Sequence, residues 1–362
     1  MKIVVKLGSS LVSSKNGINT NFLNSLIKSI CTLSSDFVVV TSGAVASGMF
    51  KLSLTEKPKD TALLQALAAI GQSDLINAYE KGFAAENKII AQLLLTNRDF
   101  SDHDRYMNIR NTLNTLISRG IVPIINENDP VTTMDVKKSA FGDNDTLSAH
   151  VAAAIDADLL IILTTVDGLY DRNPSEEGAK LITLVEQINE CQAGYCKGVS
   201  PLGRGGMLSK VQAAKIATEA GIPVVVANGL KPNALSEAIA KKSGTLFKEV
   251  SNPSLNQKKH WLAFASEPKG TISVNPRSMQ CAINKSCSIL AEDVLSVYGF
   301  FQKGDVIDIA DEDGTVVCRG ITNFSSMEIE KIKGLSSSEI SNKFGLLADI
   351  ISSSNFVVAP SL

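Results

Sequence analysis

The stretch Met1-Lys-Ile-Val-Val-Lys-Leu-Gly-Ser-Ser10 decides how the rest of the chain is read. Ile3, Val4 and Val5 form a β-branched run, the composition of a strand buried on both faces. Lys6 closes that run, and Gly8-Ser9-Ser10 follows as a turn of little side-chain bulk. Such a strand belongs in an open α/β sheet, whose ligands sit beyond the carboxyl ends of the strands. A cation beside exposed backbone N–H groups suits an anion there, and a phosphate best. Taken alone, Lys6 reads equally well as a solvated residue at a strand end.

Outward from this stretch, strand-like and helix-like patterns alternate up to about residue 250. Apolar strand candidates lie at 2–7, 37–41, 88–95, 121–125, 158–164 and 223–227. Amphipathic segments separate them at 21–33, 61–80, 105–119, 145–157, 207–220 and 233–241. The alternation predicts an α/β fold with three layers, a mostly parallel sheet covered by helices on both faces. The pattern changes after Phe247. Residues 251–259 are polar and contain a proline, so they read as a linker. Short strand candidates follow at 261–265, 270–274, 294–298, 305–310 and 315–321, spaced by Gly304, Gly314 and Gly320. They predict a small, mostly β domain. The domain division is therefore 1–250, a linker at 251–259, and 260–355.

A chain of 362 residues has room for two or three domains. Its formal net charge of −2 supplies no global field to recruit nucleic acid or an anionic membrane. No basic region followed by a long apolar run opens the chain, and no apolar stretch is long enough to span a bilayer. A cytoplasmic protein without a signal peptide is expected. The six cysteines (Cys31, Cys191, Cys196, Cys281, Cys287 and Cys318) have neither zinc-ligand spacing nor histidine partners, so reduced thiols are expected.

Five further segments sit at strand ends or helix starts. Val38-Val-Val-Thr-Ser-Gly-Ala44 leaves a buried strand at Ser42-Gly43, a turn suited to a carboxylate or phosphate, or simply an ordinary strand–helix connection. Ile124-Ile-Asn-Glu-Asn-Asp129 and Gly142-Asp-Asn-Asp145 concentrate acids and amides that one turn does not need. Asn144 or Asp143 is a candidate cap for the helix beginning near Asp145. The remaining polar groups suit a substrate ammonium or the orientation of catalytic lysines. Thr164 and Thr165 follow the strand at 158–164 and can line a nucleotide pocket. Gly203-Arg-Gly-Gly-Met-Leu-Ser-Lys210 opens a helix whose glycines allow close approach to phosphate. The spacing is not that of a Walker A loop.

Together, VVKLGSS (4–10), VVVTSGA (38–44), AAIGQ (68–72), VPIINEND (122–129), GDNDTLSA (142–149), LTTVDGLY (163–170) and GRGGMLSK (203–210) resemble the amino-acid kinase family. The resemblance is strongest to the branch that phosphorylates the side-chain carboxylate of free glutamate, the first step of proline biosynthesis. GTISVNP (270–276) and the glycine-spaced strands beyond it look like a PUA domain.

The resemblance implies ATP with Mg²⁺. It places Lys6 and Lys210 at the transferring phosphoryl group, with Asp145 orienting both. Ser42, Asp129 and Asn144 match the family's glutamate positions. Gly8, Thr164, Thr165, Arg204, Gly205, Gly206, Met207, Leu208 and Ser209, with Lys6 and Lys210, match its ATP site, and no protein metal cage is implied. It further implies a homo-oligomer, proline as feedback inhibitor, and coupling to a glutamyl phosphate reductase.

Three departures stand out. Thr165 replaces a frequent Asp, and Arg204 replaces a small hydroxyl residue. The span between Asp129 and Gly142 is about three residues longer than is usual. Members acting on N-acetylglutamate or carbamate are the nearest alternative, but the TSGA turn, the NEND–GDND pairing and the PUA-like domain favour glutamate. An RNA-binding role is disfavoured, because Arg277, Lys285, Lys303 and Arg319 are dispersed and form no basic stripe.

Overall fold

A computed structural model describes residues 1–14, 17–132, 144–188, 206–250, 257–284, 287–344 and 349–358. The chain divides into two compact units. The first comprises Met1–Asp99 and Asp104–Pro253, and the second Phe100–His103 and Ser254–Leu362.

The first unit is built on eight strands: β1 (Lys2–Leu7), β2 (Asp36–Val40), β3 (Ile90–Leu95), β4 (Val122–Glu127), β5 (Leu159–Thr164), β6 (Leu184–Val185), β7 (Val224–Asn228) and β8 (Thr245–Phe247). They lie in the order β6-β8-β7-β5-β1-β2-β4-β3. Every pairing is parallel except that of β8 with β7. β1 is central, as its composition requires: Ile3, Val4, Val5 and Leu7 have no exposed surface. Its register sets Lys6 beside Val40 of β2 and Ile162 of β5. The strand-end segments picked out in sequence therefore share one edge.

The helices that matter for the site are α1 (Thr20–Thr32), α2 (Ala44–Lys51), α3 (Thr61–Ala85), α4 (His103–Ser118), α5 (Asn144–Ala154), α6 (Met207–Glu219) and α7 (Ala234–Ile239). Asn19 caps α1 by accepting from Phe22 N, and Asp60 caps α3 by accepting from Leu63 N. Along α3, Leu67, Gly71, Leu75, Tyr79 and Phe83 recur every fourth residue and are buried. Glycine is required where α3 crosses α2. A Cβ on Gly71 would lie 1.9 Å from Ala44 O, and one on Gly48 would lie 2.0 Å from Leu67 O. The two backbones touch there.

The second unit carries a five-stranded sheet, with β9 (Gly270–Val274), β10 (Val294–Gly299), β11 (Val306–Ala310), β12 (Val316–Ile321) and β13 (Phe356–Val358) in the order β10-β9-β11-β12-β13. Ile272, Ile307, Ile309 and Cys318 fill its core. Two expectations are corrected here. Residues 261–265 are not a strand: α8 (Gln257–Phe264) covers most of them and takes in the end of the expected linker. A short apolar run cannot by itself distinguish strand from helix, and Trp261 settles here by donating its indole N–H to Phe100 O at 2.7 Å. Cys281 and Cys287, expected as thiols, form a disulfide. Cys281 lies in α9 (Pro276–Ile283), and the two Cα atoms are 5.9 Å apart, within bridging range. Cys31 and Cys318 are free, while Cys191 and Cys196 lie outside the described residues. Among the described residues no helix is long and apolar enough to cross a membrane.

Candidate active site

Three elements converge on one carboxylate. Lys6 arrives from the end of β1, Asp145 from the first turn of α5, and Lys210 from the first turns of α6. Lys6 Nζ lies 2.5 Å from Asp145 Oδ1, and Lys210 Nζ lies 2.9 Å from Asp145 Oδ2. Ser209 Oγ also donates to Oδ2, at 2.8 Å. Asp145 is fully buried, and both lysines are nearly so. Burial pushes the Asp145 carboxyl up, but the two ammonium groups outweigh it and hold the carboxyl well below the usual carboxylate range. Among the described residues, two cations on one anion give the buried cluster a surplus positive charge. Burying charges in this way does little for stability, because desolvation offsets much of the attraction. A polyanion at the sheet edge is the partner such a surplus suits. The alternative of a solvated Lys6 is excluded by its 4% exposure.

Around this cluster the expected nucleotide positions are only partly gathered. The Gly8 N–H already donates to Leu163 O at 3.1 Å, so Gly8 ties the turn after β1 to β5. Thr164 ends β5 half-buried with its carbonyl accepting from Gly229 N, and Thr165 is exposed. Gly206 is the N-cap of α6, and having no side chain it gives the helix start no side-chain cap. Met207 is half-buried and Leu208 exposed in the first turn. Arg204 and Gly205 lie outside the described residues, as does most of the long 130–141 span.

The second half of the site is held by neutral groups. Ser42 leaves β2 just before Gly43, whose φ of +111° turns the chain into α2. Asn144 Nδ2 donates to Ser42 Oγ at 2.8 Å and to Asn126 Oδ1 at 3.1 Å. Asn126 Nδ2 in turn donates to Gln72 Oε1 of α3 at 2.8 Å. Behind Ser42, the buried Tyr79 hydroxyl donates to Thr41 Oγ1 at 2.8 Å, and burial raises the Tyr79 pKa. Asn144 is not a flanking cap: it is the first residue of α5, and its side chain serves Ser42 and Asn126 instead. Asp143, the other candidate cap, lies outside the described residues. Asp129 is half-buried in a single 3₁₀ turn. It borders a groove of about 410 Å³ together with Ala44, Gln72, Gln92 and Glu127.

Of the residues singled out in sequence, the structure brings Lys6, Lys210 and Asp145 together and sets Ser42 beside Asn144. In sequence Asn126 stood only among the polar groups of its strand end, and Gln72 had no role. Asn126 carried a usable signal, an amide at the end of an apolar strand. Gln72 carried none that periodicity shows, since it is one polar residue within a 25-residue helix. Of the three histidines, His150 is buried in α5 and His260 in the second unit.

Comparison with known proteins bears on both units. Residues 1–228 match the model of the amino acid kinase family, and residues 270–344 match the PUA domain. The chain is 41% identical to a glutamate 5-kinase of Caldanaerobacter subterraneus subsp. tengcongensis, over 99% of this chain and 98% of that protein. It is 41% identical to a glutamate 5-kinase of Dictyoglomus turgidum, over 99% and 97%. With glutamate 5-kinase 2 of Bacillus licheniformis it shares 42%, over 92% and 90%.

Proposed function

The chain belongs to the amino acid kinase family, and we propose that it transfers the γ-phosphoryl group of ATP to the side-chain carboxylate of L-glutamate. The products are L-glutamyl 5-phosphate and ADP, and the step opens proline biosynthesis. The observation that carries this reading is the junction at the start of α5. Asn144 turns to Ser42, while its neighbour Asp145 turns to Lys6 and Lys210. An acceptor held by Ser42 and Asn144 thus lies next to cations able to receive a phosphoryl group.

The chemistry asks for electrostatics more than for proton transfer. A glutamate side chain with a pKa near ~4.3 is ionised at neutral pH and attacks without a general base. The carboxylate oxygen forms the new bond to the γ-phosphorus, and the bond to the bridging oxygen of ADP breaks. Negative charge shifts toward that leaving oxygen, and fixed cations lower the barrier. Lys6 and Lys210 fill this role, and Asp145 fixes their ammonium groups without neutralising both.

The donor set among the described residues fits nucleotide phosphates: two lysines on one carboxylate beside the helix start at Gly206. When bound, Mg²⁺ would supply further positive charge to the transferring group. The resemblance implies no protein cage for the ion, which would rely on phosphate and water oxygens. Thr164, Thr165 and 204–210 complete the nucleotide side, and Asp129 pairs with the substrate ammonium. Every residue assigned here precedes 251, so we take 1–250 as the phosphotransfer domain. A cytoplasmic setting, a homo-oligomer, feedback by proline and a glutamyl phosphate reductase as the next enzyme complete the proposal.

The test is ADP release with glutamate present and absent, with hydroxylamine trapping the acyl phosphate as a hydroxamate. Glutamate-dependent ADP and hydroxamate in equal amounts are expected. Release without glutamate, or only with N-acetylglutamate or carbamate, would overturn the assignment.

A further inference from the structure

We propose that Gln72, in the otherwise unassigned AAIGQ segment, is a positioning residue that sets acceptor specificity by fixing the polarity of an amide relay. The inference rests on the glutamate reading of Ser42 and Asn144. The relay runs through Gln72, Asn126, Asn144 and Ser42, from four different elements.

Its direction is set by a group that cannot reverse. The backbone N–H of Glu127 donates to Asn126 Oδ1 at 2.9 Å, which identifies the oxygen end of that amide. Asn126 Nδ2 must then face an acceptor, and Gln72 Oε1 is that acceptor at 2.8 Å. Asn144 must present Nδ2 to Asn126 Oδ1, and its second N–H goes to Ser42 Oγ. Two consequences follow. Asn144 Oδ1 is left buried and, among the described residues, without a hydrogen-bond partner. Ser42 Oγ, having accepted a hydrogen bond, retains its own hydrogen to donate. The site therefore presents one acceptor and one donor, the pair that reads an ammonium and a carboxylate on one small molecule.

Gln72 lies on α3, as Asn144 lies on α5, and its height above the sheet is fixed. The adjacent Gly71 backbone rests on Ala44, where a Cβ would come within 1.9 Å of the carbonyl. Without Gln72 Oε1, the 2%-exposed Asn126 amide loses its acceptor and the relay loses its anchor.

The experiment compares L-glutamate with glutarate, which keeps both carboxylates but lacks the α-ammonium, in wild type, Gln72→Met and Gln72→Glu. ADP release is measured at varied acceptor and at varied ATP. Gln72→Met should lower kcat/KM for glutamate about tenfold, leave KM for ATP within about twofold, and shrink the glutamate-to-glutarate preference. Gln72→Glu keeps an acceptor oxygen for Asn126 Nδ2 and should retain most of that preference. Equal losses on glutamate and glutarate in Gln72→Met would reduce Gln72 to a structural role. A Gln72→Glu variant as unselective as Gln72→Met would also overturn the proposal. Wild type inert toward glutamate would instead remove the acceptor reading on which it rests.

Discussion

The two halves of the site are held by opposite kinds of bond, although one helix start serves both. At Asp145 two buried ammonium groups share one carboxylate. One residue earlier, at Asn144, only amides and hydroxyls meet. On the proposed reading, the difference follows from what each half binds. A polyphosphate is gripped by net charge, and geometry comes second. A small zwitterion needs a donor and an acceptor in set places, and a relay of neutral amides fixes those without adding a field of its own. Breaking the charged half should therefore cost rate, and breaking the neutral half should cost recognition.

The largest effect is expected at Asp145. Asp145→Asn leaves two buried lysines without their anion, and losing one partner of a buried pair costs about 3–5 kcal/mol. Both turnover and denaturant midpoint should fall, and a midpoint within error of wild type would show that the pair is not a buried anchor. Next comes Lys6→Ala, which should lower kcat by roughly 100-fold or more, about 3 kcal/mol of transition-state stabilisation. Turnover near wild type at saturating ATP would break the comparison on its charged side. Ser42→Ala tests the neutral side: KM for glutamate should rise about tenfold while KM for ATP stays within about twofold. A rise confined to ATP would reverse the two halves.

Stability and rate should differ in their response to pH. The Asp145 carboxyl is held below its ordinary value in the folded protein. Its contribution is complete above the unfolded pKa of about 3.9 and is lost only as pH falls through the lower folded value. The stability gap between wild type and Asp145→Asn should be flat from about pH 8 to 5 and close only in stronger acid. A gap that closes near neutrality would contradict this. The kcat profile should likewise lack a base-type limb between about pH 6 and 8, since the nucleophile is already ionised. The smallest effect belongs to the second unit. Trp261→Phe removes the indole bond to Phe100 O and should cost about 1 kcal/mol in unfolding, with kcat unchanged.

Much of this was legible from residues 1–10, because a β-branched run before a lysine and a glycine constrains both sheet and site. The division of labour between Asn144 and Asp145 came from the family resemblance and not from the residues themselves: adjacent residues at a helix start point in different directions, and only packing shows where. Gln72 was hidden because its partner is 54 positions away, and helical periodicity says nothing of a hydrogen bond to a strand end. Residues 261–265 misled for a different reason. Five mostly apolar residues satisfy a strand or a buried helix, and the choice fell to Trp261 finding a carbonyl acceptor distant in sequence.

The most direct measurement crosses Lys210→Ala with Asn144→Ala in the hydroxamate assay, varying both substrates. The account predicts that Lys210→Ala lowers kcat by roughly 100-fold with KM for glutamate within about twofold. It predicts that Asn144→Ala raises KM for glutamate about tenfold or more while largely sparing kcat and KM for ATP. The same pattern of losses in both variants, or the reverse assignment, would contradict it.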